Sequence, residues 1–294
     1  MSTRSFRVSP SVLERNRIRS IVFTGDDFGF SRGVNQAIIE AHERGVLTRA
    51  SLMVTGEAFD EAVSLARAHP QLNVGLHLVL VCGRSVLSPE RIPHLVNGTG
   101  WFPSESVWTG LRYQFSPRAR RELRLEISAQ LERFRQTGLP LSHLDGHLHM
   151  HMHPVVLRIL IELAPAFCIK SIRLPSEELN LALQLDRSHW ATQVVWSLIF
   201  ERLRRYGESR LQSAGIEYAD RVYGLLSSGR ITEEYLLGLI PRIRANHVEI
   251  YSHPAIAMDG ESFNGPPGAG QAELAALVSD RVRNALTLSG LTLR

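Results

Sequence analysis

Residues 20–45, SIVFTGDDFGFSRGVNQAIIEAHERG, carry the reading of the fold. Ser20–Thr24 is a short apolar, β-prone run, the pattern of a buried strand. Ser31 then suits a helix N-cap, because its hydroxyl can accept a backbone N–H of the first turn. Val34, Ile38 and Ala41 recur along one helical stripe, and Gly45 marks its end. Strand, polar turn and amphipathic helix in that order make one β/α unit.

The same rhythm recurs along the chain. Ala50–Thr55, Asn73–Val81, Leu141–His149, Ile169–Leu174, Arg221–Gly224 and Val248–Ser252 read as further strands. Phe59–Ala68 reads as a helix, as does the stripe Leu123, Ile127, Leu131 and Phe134 ahead of Gly138, and Pro154 suits the first turn of another. Repeated units of this kind put helices outside a parallel sheet. About seven to eight of them predict an α/β fold: a TIM-like barrel of parallel strands, irregular in places. Two insertions interrupt it, Gly83–Gly110 and Asp186–Ser213. Residues 1–19 read as an irregular extension and 20–294 as a single domain, with no low-complexity linker between parts.

Composition narrows the function classes. The chain has 294 residues, 44% hydrophobic and 21% charged, which fits a soluble globular protein and excludes wholesale disorder. Cys82 and Cys168 are too few for a disulfide framework and fit a reducing compartment. The first residues lack the apolar core of a secretory signal. No apolar run approaches the roughly 20 residues needed to span a bilayer, so a cytoplasmic location is expected. The net charge of +4 reads as a solvated surface. No helix-turn-helix, zinc-finger or aromatic-basic pattern accompanies it, and nucleic acid is not an expected partner.

The chemistry collects at strand ends. Asp26 and Asp27 follow the first strand, and His77 lies near the end of the third. His147 falls late in SHLDGHLHMHMH, and His253 closes VEIYSHP. In a parallel barrel these carboxyl ends meet on one face, where catalytic groups gather. The aspartate pair has two readings: a helix cap, or one carboxylate for a metal with its neighbour as a base. His77, inside the apolar run VGLHLVL, would be a core residue by itself and becomes a ligand candidate in this company. His143, Asp145, His147, His149, His151 and His153 alternate strictly, so in a strand they would share one face; a histidine storage tract is the alternative. Pro154 makes His153 a helix cap or a neighbour of the site. One aspartate with two histidines leaves coordination positions open, as hydrolytic metal sites do. Non-haem iron oxygenases use the same donors, so the donors alone do not choose the reaction.

Taken together, the chain resembles the YdjC-like carbohydrate deacetylase family. The matching pieces are TGDDFG (24–29), SRGVNQAI (31–38), LTRASLMV (47–54), VGLHL (74–78), HLDGHLH (143–149), IRLP (172–175) and SHP (252–254). The resemblance implies a TIM-like deacetylase barrel that removes acetyl groups from N-acetylated sugars, chitooligosaccharides included. The run LHLVLVCGRSVLSP (76–89) looks closer to the branch associated with hopanoid biosynthesis. That implies an N-acetylglucosaminyl hopanoid as substrate and peripheral contact with the inner face of a membrane. Carried over by position, the resemblance makes Asp27, His77 and His147 the ligands of one divalent ion, zinc or magnesium. Asp26 becomes the base and His253 the acid. Arg173 orients a carboxylate, binds substrate or forms a structural ion pair, and His149 is a further candidate for binding substrate. Gly25 departs from the family, which commonly has alanine before the paired aspartates. A non-catalytic metal- or sugar-binding barrel and an iron oxygenase are the rival readings, and the oligomeric state stays open.

The segment His189–Gln212 adds one more expectation. Trp190, Val194, Val195, Trp196, Leu198, Ile199 and Phe200 cover most of its early circumference, and Arg202, Arg204, Arg205 and Arg210 follow. It reads either as a helix packed on two sides or as an interfacial segment whose arginines reach anionic headgroups, with the Arg118–Arg135 helix adding to the basic face.

Overall fold

In the computed structural model, described for residues 19–259, 261 and 265–294, a parallel sheet is built around β1 (Ser20–Phe28). Its other strands are β2 (Arg49–Leu52), β3 (Asn73–Leu78), β4 (Leu144–Gly146), β5 (Arg221–Tyr223), β6 (His247–Ser252) and the two-residue β7 (Thr292–Leu293). The order is β4-β3-β2-β1-β6-β5, with β7 also paired to β1, and every named pairing is parallel. The helices are α1 (Arg32–Arg44), α2 (Phe59–Ala68), α3 (Ser106–Phe115), α4 (Pro117–Gln136), α5 (Pro154–Phe167), α6 (Leu179–Leu185), α7 (Trp190–Ala214), α8 (Glu233–Leu239), α9 (Ala269–Leu277) and α10 (Asp280–Ser289). Parallel neighbours need long crossovers, which these helices supply.

Local chemistry accounts for the elements. Ser31 caps α1, its hydroxyl accepting the Val34 N–H at 3.3 Å. Pro154 opens α5, and the His153 ring nitrogen accepts the Val155 N–H, so His153 is the cap of that helix. Leu123, Ile127, Leu131 and Phe134 of α4 are all buried, as their spacing requires.

The sheet is not the closed barrel expected from the sequence. It is a half-barrel, and β4 and β5 are its edges. Residues 169–174, expected to be a strand, cross the opening by isolated bridges: Leu144 with Ile172, Ser171 with Glu217, and Ser176 with Val222. Pro175 has no N–H to continue a ladder there. β4 stops after three residues because the chain turns at Gly146. The histidine run is therefore not one strand with one face, as its alternation suggested. Residues 147–152 form a tight 3₁₀ segment in which Leu148 (φ 48°) and His149 (φ 56°) are left-handed. The sequence reading also missed β7.

The insertions are ordered. Arg84 and Trp101 pair antiparallel. The segment between them is tied to α4, whose Glu126 accepts the Val86 and Leu87 N–H groups at 2.8 and 3.0 Å. The second insertion contributes α7. Arg204 does not reach outward, as the interfacial reading would have it: it is buried, donating to the Leu174 carbonyl at 2.8 Å and to Glu208 at 2.7 Å. Of the expected irregular extension, residues 1–18 lie outside the described residues. Arg19 donates to the Ile243 carbonyl at 2.7 Å. Among the described residues, no helix is long and apolar enough to cross a membrane.

Candidate active site

Consecutive residues of a strand point to opposite faces, so Asp26 and Asp27 should diverge. They do not, because β1 bulges there. Its register to β2 shifts between Gly25 and Phe28, and Asp27 takes a left-handed conformation (φ 62°). A bulge of this kind re-aims a side chain, and a non-glycine residue held at positive φ is a mark of a functional position. Both carboxylates end up buried beside His77.

Asp27 faces two imidazoles with one oxygen. Its Oδ1 lies 3.2 Å from His77 Nε2 and 3.1 Å from His147 Nδ1. These donor atoms lie within 4.8 Å of one another, and all three residues are buried. His77 is oriented from behind, its Nδ1 donating to Asp145 Oδ1 at 2.8 Å. That bond holds the ring with Nε2 toward Asp27, as metal-bound histidines are commonly held. Close approach of β3 to its neighbour depends on Gly75, where a Cβ would lie 2.4 Å from the His143 carbonyl oxygen.

Charge favours a cation here. Burial pushes the His77 pKa down, but Asp145 and the hydrogen bonds to Asp145 and Asp27 outweigh it and lift the value to about 10. Burial likewise raises Asp27, and the neighbouring His147 and His77 outweigh it, holding Asp27 well below the usual carboxylate range. One carboxylate oxygen converging with two imidazole nitrogens is a donor set that fits a divalent metal ion.

Asp26 is gripped differently. Its Oδ2 and Oδ1 accept from Arg173 Nη1 and Nη2 at 2.6 and 2.8 Å, a two-pronged pair. Arg173 also donates to Asp145 Oδ2 at 2.7 Å and, through Nε, to Glu249 Oε1 at 2.9 Å, and it lies over the Tyr251 ring at 4.6 Å. Burial raises the Asp26 pKa; Arg173 works against that and Asp145 adds to it, for a net rise. Arg173, expected among the substrate-binding residues, is wholly buried beneath Asp26 and lines no described cavity with it. Its Nε, Nη1 and Nη2 are all directed at carboxylates, the arrangement of an ion pair.

A cavity of about 420 Å³ opens over this cluster. Asp26, His77 and His147 line it, together with His149, Tyr251, His253 and Glu273. His149 Nε2 lies 2.8 Å from the Tyr251 hydroxyl, while its Nδ1 is buried without a partner among the described residues. Burial, with His151 and Arg173 nearby, holds His149 well below the usual imidazole range, so it is neutral. The His253 N–H donates to Glu273 Oε2 at 2.5 Å, and its ring stands edge-on to Tyr251 at 5.8 Å. The outer wall is apolar, with Leu148, Trp196, Phe200 and Leu225.

The remaining histidines of the run do separate jobs. His143 Nε2 lies 3.0 Å from the Ser51 hydroxyl, which donates to Asp145 Oδ2 at 2.7 Å. His151 bonds the Arg173 carbonyl at 3.0 Å. Sequence reading overlooked Ser51, Glu249, Tyr251 and Glu273, and gave Asp145 no role of its own. Glu249 left a signal, a lone acid in the apolar strand VEIYS; Glu273, inside α9, left none.

Fold and site together define a class: α/β half-barrels that gather an aspartate and two histidines at the carboxyl ends of their strands. The YdjC-like protein family model matches residues 20–287, and the chain belongs to that family. It is 44% identical to a carbohydrate deacetylase of Brevibacillus brevis over 147 residues, which is 50% of this chain and 56% of that one. It is 41% identical to a carbohydrate deacetylase of Geobacillus stearothermophilus over 150 residues, 51% of this chain and 57% of that one. The aligned stretch thus spans little more than half the length of these curated relatives. Among solved structures, a protein of Enterococcus faecalis V583, provisionally described as acting in cellobiose-phosphate cleavage, is 25% identical with a TM-score of 0.73, covering 94% of this chain and 97% of that one.

Proposed function

We propose that this protein is a metal-dependent hydrolase that removes the N-acetyl group from an amino sugar, acting from a single domain over residues 20–294. The observation that carries the reading is the convergence of His77 and His147 on one Asp27 oxygen, beside a second aspartate clamped by Arg173, with Asp26, His77 and His147 lining one cavity. Asp27, His77 and His147 would hold the ion, and their nitrogen-rich set favours zinc over magnesium. A divalent ion bound there supplies Lewis acidity toward the acyl oxygen and lowers the pKa of water.

The protein's own groups do the proton work. Asp26, with its pKa raised, accepts the proton of the attacking water. Arg173 keeps that carboxylate pointed at the cavity while Glu249 and Asp145 balance its charge. His253 donates a proton to the departing nitrogen, because an amide anion is too poor a leaving group. His149 offers an imidazole edge to the sugar. Amide and water give acetate and a free amine. A binding-only barrel would not need the clamped Asp26 beside the ligand set.

For the substrate, the apolar wall of Leu148, Trp196, Phe200 and Leu225 favours an N-acetylglucosaminyl group on a hopanoid lipid, presented at the cytoplasmic side of a membrane, over a chitooligosaccharide. Metal-loaded protein assayed anaerobically, with mass spectrometry on N-acetylglucosaminyl lipids and chitooligosaccharides, tests both levels. Acetate release from the lipid supports the finer reading, and release from the oligosaccharide alone replaces it. No acetate from either substrate overturns the deacetylase reading, and a requirement for oxygen points to an oxygenase.

A further inference from the structure

The mouth of the cavity is bordered by α3 and α7, and both present large apolar side chains to the outside. On α3, Val107, Trp108, Leu111 and Phe115 are exposed, Trp108 by 71% and Phe115 by 74%. The opposite face is held inward by Thr109 and by Tyr113, whose hydroxyl donates to the Leu80 carbonyl at 2.7 Å. On α7, Val195, Trp196, Leu198 and Ile199 are exposed, Leu198 by 67%, while Gln193, Phe200 and Arg204 are buried. Both helices pack on the left-handed turn that carries the half-exposed Leu148. Ser106, Leu148 and Trp196 line the cavity itself, so rim and cavity wall form one continuous surface.

Single exposed apolar residues are ordinary; a group of them around one opening marks an interaction site. The charge around the group is one-sided. Arg112, Arg118 and Arg121 follow the α3 stripe, and Arg202 and Arg205 follow the α7 stripe, all exposed, against Glu105 and Glu201. Glu201 and Arg205 pair at 2.8 Å, which leaves Arg112, Arg118, Arg121 and Arg202 against Glu105. Apolar side chains flanked by arginines match the layering of a bilayer interface, with its acyl boundary below and phosphates above.

We propose that this rim docks the protein on a lipid bilayer carrying anionic headgroups. Val107, Trp108, Leu111 and Phe115 enter the interface alongside Val195, Leu198 and Ile199, and the flanking arginines meet the phosphates. The docking stands on these exposed side chains; only its purpose, delivering a membrane-held amino sugar to the cavity, rests on the deacetylase reading.

Vesicle co-sedimentation tests it, using phosphatidylcholine with and without phosphatidylglycerol, at low and high salt. Wild-type protein is expected to bind the anionic vesicles at low salt, with less binding at high salt and on the neutral vesicles. Trp108→Glu with Phe115→Glu, and separately Leu198→Glu with Ile199→Glu, should each weaken binding on the order of tenfold, since each places charge where apolar area enters the interface. None of the four residues lines the cavity, so acetate release from a soluble N-acetylglucosamine oligomer should stay at the wild-type rate. Absence of wild-type binding at low salt overturns the proposal, as does undiminished binding by both pairs. A homodimer that these substitutions split, with no vesicle binding in any form, also overturns it and assigns the face to a second copy. Vesicle binding by a protein that releases no acetate leaves the docking intact and rejects the enzymatic reading instead.

Discussion

His77 Nδ1 and Asp145 Oδ1 lie 2.8 Å apart in a fully buried pair. This bond fixes the ring so that Nε2 faces Asp27 and the His147 ring. Asp145→Asn should therefore weaken metal binding without removing a ligand. A loss of about 10–100-fold in affinity is expected for a partner of this kind, read by competition with a chelator. Unchanged affinity would show that packing alone orients His77.

His77→Ala and His147→Ala should each lower metal stoichiometry and turnover together. Metal analysis of purified variants beside an acetate assay checks this. Full occupancy with normal turnover in either variant removes that residue from the ligand set.

Asp26→Asn should keep the metal and lose about 10²–10⁴-fold in turnover, because an amide cannot take the proton from water. It should also lower the melting temperature, since Arg173 loses its two-pronged charged partner and keeps only Asp145 and Glu249. Thermal melting and metal content are measured on the same sample. Loss of the metal from Asp26→Asn, with retention in Asp27→Asn, would exchange the two roles.

His253→Ala should slow amide hydrolysis far more than hydrolysis of an acetyl ester with a good leaving group, which needs little protonation. Comparing the two substrates on one enzyme preparation decides it. Equal losses would make His253 a structural residue of the cavity wall.

The fold should weaken in mild acid. Burial depresses His143 and His151 to about 4 in each case, against an ordinary 6.5. Between those values the unfolded chain binds protons that the folded one refuses, so stability rises with pH across the window and is lost as pH falls from about 6.5 toward 4. Melting temperatures across this range should show the slope, and His143→Gln should flatten part of it. A melting temperature constant from neutral pH down to about 4 would mean these rings are not buried neutral.

Much of this was legible in the sequence because a parallel β/α rhythm puts distant strand ends on one rim. Asp26 and Asp27, His77, His147 and His253, far apart in the chain, fall at those strand ends, and the family resemblance singles out Asp27, His77 and His147 among them. What the rhythm could not give was backbone detail. Strict alternation from His143 to His153 looks like a strand, yet Leu148 and His149 turn left-handed, so residue spacing ceased to report direction. The run Ile169–Leu174 has the composition of a strand, but closing a ladder on both sides depends on neighbours that composition does not register. Arg204 looks like a surface arginine until the carbonyls that enclose it are placed. Gly25, where the family commonly has alanine, sits where a Cβ would come within 2.9 Å of Ile38 and Leu47 side chains. The departure is thus a matter of packing behind the aspartates rather than of ligation.

The open side of the half-barrel has a consequence for how this protein can change over generations. Residues 170–176 span the gap by single bridges, and from there Arg173 reaches Asp26 on β1, Asp145 on β4 and Glu249 on β6. The weakest seam of the sheet is thus sewn by the same guanidinium that clamps Asp26. Robustness and reactivity share one residue, so drift at this seam cannot trade one against the other. A lineage that loses the chemistry is released from the arginine only if it finds another way to hold the sheet shut.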